Sequence, residues 1–497
     1  MEIIQAFSQV INPSTLLFIF IGVVIGELVG VLPGISSPAA IALLLPTTFT
    51  LAPGDGLAML AGIWYGSSYG GIITSILLNI PGEGDSVIST LDGYAMAKQG
   101  QGALALGVSA FGGFFAGTIA LILLQFVGPD IAALAMRFGP QEFFALMFLG
   151  LALVSWLSGE SIIKGMISCG LGLLVGTVGG DIVSGESRLT FGFTVLQDGI
   201  GFVPAVVGLF GLGEILHTVG NKLDINHQMK ISIRGLFPHG SQWAPTVWST
   251  LRGTVVGFVA GVIPGVGPTN ATFVAYAVEK GISRTPEQFG QGAIEGVAGP
   301  GAASHSGTIA GMVPLLALGI PASGTAAVFM GGFIIHGLFP GPLLYLQHSD
   351  IVWGLIAALY VGNIMLLLMN TLMIPVMVWV VSAIRPYLAP IIGVLTLIGA
   401  YSLSNNPIDI WLAVGFGILG YFFRIGGFPL APMVIAMVLG RKAETALRQS
   451  LQISNGDFSV FMHRPLAASL IVVAFLVLLS PWLLALWRRY RIARSVT

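Results

Sequence analysis

Small polar side chains gather at four breaks in an otherwise apolar chain, and such breaks can bind ions. Gly34, Ser36 and Ser37 follow Gly30-Val31-Leu32-Pro33 and open the short apolar run Pro38–Leu51. Gly265, Gly267, Thr269 and Asn270 follow Gly261-Val262-Ile263-Pro264 in the same way. Pro38 and Pro268 suit the first turn of a helix. Each turn should therefore present free N–H groups and the positive end of a helix dipole, which attract an anion such as a carboxylate. The other two breaks are Asn79, Pro81 and Gly82, preceded by Thr74 and Ser75, and Gly319, Pro321, Ser323, Gly324 and Thr325. Proline donates no backbone hydrogen bond and glycine loosens the chain, so a helix should end near Asn79 and again near Gly319. Released carbonyls can coordinate Na⁺, while hydroxyls and N–H groups hold carboxylate oxygens. Thr74, Ser75, Asn79 and Gly319 are thus candidate coupling-ion ligands, and Asn79 together with the remaining turn residues are candidate substrate ligands. The plainer alternative is capped surface loops and proline kinks.

The charged residues divide in the same way. Glu27 lies inside the first apolar run, where a carboxylate is costly and marks function by default, so it is a candidate proton or cation ligand. Glu83, Asp85 and Asp92 read as solvated loop acids, with Asp92 able to cap the following helix. Glu160 and Lys164 are spaced as a helix pair. Glu142, Glu214 and Glu295 read as end-of-helix charges, and Arg424 as an interfacial anchor. His305 and His336 are isolated, so no metal site is expected. No GxxxxGK[ST] is present, and no nucleophile is paired with a base, so neither ATP hydrolysis nor catalysis is expected.

These residues need long helices to hold them. The 497 residues are 55% hydrophobic and 8% charged, with mean hydropathy +0.92, against about 25% charged in a soluble domain. The chain reads as an all-α polytopic membrane protein with about eleven or twelve full spans of roughly 20 residues each. Shorter runs at Pro38–Leu51, Thr269–Val278 and Thr308–Ile320 read as re-entrant or half-helices. Gly 69 and Pro 27 suggest close helix packing and several broken helices. A net charge of −1 leaves no polybasic surface for nucleic acid. The single cysteine, Cys169, excludes an intrachain disulfide and reads as a buried packing residue. Leu16–Val31 reads as a retained first helix, because no basic region and no cleavage site precede it.

The breaks recur in order. Pro33 and Pro264 are 264 − 33 = 231 residues apart, and Pro81 and Pro321 are 321 − 81 = 240 apart. Two motifs at nearly one offset imply two repeated halves, 1–220 and 246–497, joined by a polar linker at 221–245. By the 231 offset Glu27 corresponds to Phe258 and stands outside the repeat. The positive-inside rule puts the linker in the cytoplasm. However, arginine clusters flank the last span on both sides, so absolute orientation stays open, as does inverted against parallel repetition.

The stretch YGGIITSILLNIPGEGDSVISTLDGYAMAKQG, with GVLPG, GVIPG, EGVAGP and FIIHGLFPGP, resembles the large membrane subunit of tripartite tricarboxylate transporters, the TctA-like family. The resemblance runs over nearly the whole chain. It implies a secondary transporter for di- or tricarboxylates in the bacterial inner membrane, driven by Na⁺ or H⁺. It also implies a small four-helix membrane subunit and a periplasmic solute-binding protein as partners. A homodimer is left open, and an uncoupled carboxylate channel is the alternative. Where the family often reads APEAANNAAA, this chain has Gly301 for the acid and Ser304 and His305 for the asparagines, which bears on the second half's ligands.

Overall fold

The computed structural model describes residues 2–32, 36–79, 81–157, 161–181, 186–218, 233–372, 393–394, 397–398, 400–401 and 406–495. Those residues are almost wholly helical, and a two-residue hairpin at 179–180 and 187–188 is the one sheet among them. The chain divides into two compact units, Met1–Ala133 with Val203–Phe422, and Leu134–Phe202 with Phe423–Thr497. Four described helices are long and apolar enough to cross a membrane: Pro13–Val31, Gly102–Ala135, Ser349–Leu372 and Pro407–Ile425. Six shorter apolar helices accompany them, so the span count expected from sequence depends on how these are assigned. Residues 221–232 of the expected linker fall outside the described residues, and 233–245 form two short helical turns, Ile233–Leu236 and Gly240–Gln242, that lead into the helix starting at Trp243.

In the first unit, α1 (Glu2–Val10) precedes α2 (Pro13–Val31), which Asn12 caps by accepting the Thr15 N–H at 3.0 Å. Then come α3 (Ser37–Thr48), α4 (Pro53–Leu78), α5 (Ser89–Lys98) and α6 (Gly102–Ala135). After the second unit's first segment, with α7 (Pro140–Leu157) and α8 (Ile162–Gly176), the chain returns through α9 (Phe202–Val206) and α10 (Gly213–Thr218). The series continues with α11 (Trp243–Val262), α12 (Gly267–Ile282), α13 (Glu295–Ala310), α14 (Met312–Leu318) and α15 (Gly324–Ile335). α16 (Pro342–Gln347), α17 (Ser349–Leu372) and α18 (Pro407–Ile425) follow.

Glycines set the core spacing. A Cβ on Gly22, Gly26 or Gly30 of α2 would sit 2.2, 2.4 or 2.2 Å from the carbonyl oxygens of Met59, Ile63 and Ser67 on α4. The helices therefore touch backbone to backbone, as small-residue stripes permit. Residue numbers rise together along the contact, so α2 and α4 run in the same direction and α3 must run back between them. At 1.5 Å per residue, its 12 residues span about 18 Å, short of a hydrocarbon core of about 30 Å. α11 repeats the stripe. Gly253, Gly257 and Gly261 meet the carbonyl oxygens of Gly299, Ala303 and Gly307 on α13 at 2.1, 2.4 and 2.4 Å. The glycines on α11 lie 231 residues after those on α2, and their partners 240 after those on α4, so the repeat is structural.

One expectation needs correction. The half-helix read at Thr308–Ile320 begins instead at Glu295, and Gly311 divides it into α13 and α14. Gly, Ala and Ser dominate α13 and Pro300 lies inside it, which hides its helicity in sequence. Every residue from Gly296 to Ala310 is nevertheless buried, and packing rather than propensity holds the helix.

The second unit contains α7, α8, α19 (Leu430–Ile453), α20 (Val460–His463) and α21 (Pro465–Ser495). Gly172 of α8 lies against the Met433 carbonyl of α19, and Cys169 is buried beside this seam. Glu160 lies outside the described residues. Its expected partner Lys164 donates to the Gly426 carbonyl at 2.6 Å. Arg188 is ion-paired with Asp181 and Glu444, and Arg448 joins them. The hydrogen bonds that Arg188 donates to the Glu444 and Asp181 carboxylates hold its guanidinium above its ordinary range.

Candidate functional site

Within the first unit each turn meets the chain just past the helix break of its own half. α4 stops at Leu78 because Asn79 adopts a left-handed conformation with φ 59°. Gly319, its counterpart, does the same after α14 with φ 68°. Ile320 N–H then reaches back to the Pro314 carbonyl at 3.1 Å, closing a Schellman-type cap. The two breaks differ in cover. Asn79 and Pro81 are exposed, whereas Gly319 and Pro321 are buried.

Beyond the first break the chain folds back onto the α2–α4 seam. A Cβ on Gly82 would strike the Gly30 carbonyl at 2.0 Å, so only glycine fits there. This places the Glu83 carboxylate on the N-terminus of α3, where it accepts the Ser37 N–H and hydroxyl, both at 2.5 Å. The Ser37 hydroxyl also meets that of Ser67. Gly34 lies outside the described residues, and Ser36 is the half-buried N-cap position of α3.

In the second half the turn bonds directly to the break, Gly265 N–H donating to the Ala322 carbonyl at 2.9 Å. Gly267 lies beside Ser323, which caps α15 by accepting the Ala326 N–H at 3.2 Å. Gly324 and Thr325 form the half-buried first turn of α15. Thr269 is exposed on α12, and Asn270 donates to the Val266 carbonyl at 2.6 Å. Thr74 and Ser75 are buried and donate to the Gly71 carbonyl at 3.2 and 2.8 Å, and Ser75 also meets Ser86 at 2.9 Å.

Three acids contradict their reading as solvated loop charges. Glu83 caps α3, as described. Asp85 is buried and accepts the Ser304 hydroxyl at 2.6 Å. Asp92 is fully buried; it accepts the N–H groups of Gly290, Gly292 and Ala293, each at 2.8 Å, and the Tyr276 hydroxyl at 2.9 Å. It therefore secures the loop before α13, in the other repeat. A run of acids directly after a helix break was the available signal. Glu142 caps α7 through the Gly139 N–H, as expected.

The two repeats meet along α4 and α13. The hydroxyls of Ser68 and Thr308 approach at 3.4 Å, and these residues are exact counterparts, 240 apart. Tyr65 and His305, also counterparts, pack edge to face with centroids 6.0 Å apart. A residue that touches its own counterpart lies on or near a two-fold axis. His305 stacks on Tyr69 at 3.8 Å and fills the space above Gly113, where a Cβ would come within 2.1 Å of its ring. Asn363 of α17 accepts the Tyr65 hydroxyl at 2.9 Å and donates to the Phe114 carbonyl and Thr118 hydroxyl, both at 3.0 Å. Tyr65, Tyr69 and Asn363 were not anticipated; the two asparagines in the apolar run of α17, Asn363 and Asn370, were the signal for the last. Glu27 is fully buried, its backbone pressed against Gly66 and Gly70 of α4.

A duplicated membrane core with broken helices facing one another is the architecture of secondary transporters. The chain belongs to the Tripartite tricarboxylate transporter TctA family, whose family model matches residues 16–435. It is a transporter component on that ground. It is 42% identical over 469 residues, 94% of this chain and 93% of the relative, to an "Uncharacterized 52.8 kDa protein in TAR-I ttuC' 3'region" of Agrobacterium vitis. An "Uncharacterized protein in TAR-II ttuC' 3'region" from the same organism is 43% identical over 218 residues, 43% of this chain and 89% of that protein. No solved structure matches the chain.

Proposed function

We propose that this chain is the translocating subunit of a secondary transporter importing di- or tricarboxylates across a bacterial inner membrane. A Na⁺ or H⁺ gradient drives it, a periplasmic solute-binding protein delivers substrate, and a small four-helix membrane subunit completes the complex. The observation that supports this most is the pairing of a proline-glycine turn with a helix break in each half. Ser37 meets Glu83 in the first, and Gly265 meets Ala322 in the second. Ser323, Gly324, Thr325, Thr269 and Asn270 are proposed to hold substrate carboxylates, with Gly267 keeping the turn open. Gly34, Ser36, Ser37, Asn79, Pro81, Gly82, Gly265, Ser304 and Pro321 complete the proposed substrate set, while Thr74, Ser75, Asn79, Gly319 and Glu27 serve the coupling ion.

The test is uptake of radiolabelled citrate, succinate and malate into proteoliposomes under imposed Na⁺ or H⁺ gradients. The small subunit is co-reconstituted, and the binding protein is added or withheld. Accumulation that needs both a gradient and the binding protein is the expected result. Downhill flux indifferent to both would overturn the coupled reading in favour of a facilitator.

A further inference from the structure

Asp85 carries a buried carboxylate into the seam between the two repeats. It sits in the helical turn Gly84–Ser86 just past the first break, and α4, α12 and α13 pack on that turn. Asp85 is 5% exposed, and the Ser304 hydroxyl of α13 donates to its Oδ2 at 2.6 Å. The Ser68 hydroxyl of α4 and the N–H groups of Asp85 and Ser86 also bond the carboxylate. Thr308 lies one helical turn beyond Ser304, donates to the Ser304 carbonyl at 3.0 Å and faces Ser68. All three hydroxyl residues are buried.

These donors solvate the charge without cancelling it. α4 and α13 contain no lysine or arginine, and the one basic residue on α12, Lys280, is exposed in its last turn. Arg252 is paired with Glu279 of α12, and His305, next to Ser304 in the chain, stacks on Tyr69. Glu83, two residues before Asp85, adds a second acid and bonds Ser37. A buried carboxylate with no counter-charge is costly unless a cation neutralises it.

The oxygens around Asp85 come from both repeats and have the spacing that a cation needs. Those of Ser68 and Thr308 stand 3.4 Å apart, beyond the about 2.5–3.0 Å of a good hydroxyl–hydroxyl hydrogen bond. Na⁺ is close to Ca²⁺ in size, and neighbouring oxygens of a shell with bonds of about 2.4 Å stand about 3.4 Å apart. The two counterpart hydroxyls are therefore placed as adjacent ligands of one ion, beside a carboxylate that supplies the charge.

We propose that Na⁺ binds between Asp85, Ser68, Ser304 and Thr308 and is the coupling ion. This rests on the carboxylate-transport reading, selects its ion and transfers Ser304 from the substrate set to the ion's. The ion ties the turn after the first break to α13 of the other repeat. Because Glu83 belongs to the same turn and bonds the N-terminus of α3, ion occupancy also fixes the first cradle.

The experiment measures ²²Na⁺ binding to the purified full chain in detergent, at constant ionic strength made up with KCl. Saturable binding is expected in the wild type, lost in Asp85→Asn and weakened at least tenfold in Thr308→Val. If Asp85→Asn is not monodisperse, Thr308→Val and Ser68→Ala carry the test. A wild type without saturable binding, or variants that bind as the wild type does, would overturn the proposal. Uptake of citrate, succinate and malate by the reconstituted complex separates the two readings. Sodium bound through Asp85 with no carboxylate moved under any gradient would keep the ion site and sink the transport reading. Accumulation driven by a proton gradient alone, without sodium, would overturn sodium coupling and leave the transport reading standing.

Discussion

The strongest test of the architecture is a pair of methyl groups. In Gly26→Ala the new Cβ would lie 2.4 Å from the Ile63 oxygen and 2.8 Å from its Cα; in Gly257→Ala it would lie 2.4 Å from the Ala303 oxygen and 2.7 Å from its Cα. Carbon–oxygen contacts between packed backbones normally stand at about 3.3–3.6 Å. Each helix pair must therefore separate by roughly 1 Å along a seam that is backbone on both sides, with no side chain to swing aside. Overpacking of this kind costs about 1–3 kcal/mol. At about 2.1 cal/mol/K of unfolding entropy per residue, a chain of 497 residues shifts by about 1 °C per kcal/mol, so the apparent melting temperature should fall by roughly 1–3 °C. The two variants should fall by similar amounts, because the contacts match. Gly354→Ala, with nothing within 4 Å, should melt at or above wild type. Size-exclusion profiles after stepwise heating in detergent, at one fixed heating rate, measure this. If Gly26→Ala melts like wild type, or only one of the pair is damaged, the parallel glycine seams and the equivalence of the repeats are wrong.

Asp92→Ala would leave the N–H groups of Gly290, Gly292 and Ala293 without the Oδ1 they donate to, so it should cost about 2 kcal/mol or more and favour proteolysis between Lys280 and Glu295. Limited proteolysis in detergent would reveal the change. Gly113→Ala would place a methyl 2.1 Å from the His305 ring. Uptake should be lost more completely than stability, which paired transport and melting measurements can separate. Replacing Asn79 and Ser323 with alanine should abolish transport without lowering membrane abundance; two variants transporting normally would remove both breaks from the site.

What could be read from the sequence was set by backbone chemistry. Prolines and glycines announce helix ends locally, so the stops near Asn79 and Gly319 and the short α3 were visible before any coordinates. The repeat was visible for the same reason, since the motifs that recur are backbone motifs. α13 was not, because Gly, Ala and Ser carry little hydropathy and its stability comes from glycines on α11 that lie some 46 residues earlier. The three acids after the first break were misread because burial depends on the other repeat. Asp92 is satisfied by N–H groups about 200 residues away, and no local pattern reports such a partner.

The two-fold relation also explains why chemistry and scaffold separate so cleanly here. Positions that set spacing are preserved between the halves: Gly22 with Gly253, Gly26 with Gly257, Gly30 with Gly261. Most of the polar positions are not, although Ser68 and Thr308 both keep a hydroxyl: Glu27 corresponds to Phe258, Tyr65 to His305, and Glu83 to Ser323. The last pair matters most for binding an anion. At α3 the chain already supplies its own carboxylate to the Ser37 N–H, so that helix end is neutralised. At α12 the corresponding position carries the Ser323 hydroxyl, itself engaged with α15, and the turn that holds Asp85 packs on the same helix, with Gly84 beside Thr269. Two cradles that look equivalent in sequence therefore differ in what stands beside the helix N-terminus, a carboxylate bonded to it at α3 and an already engaged hydroxyl at α12.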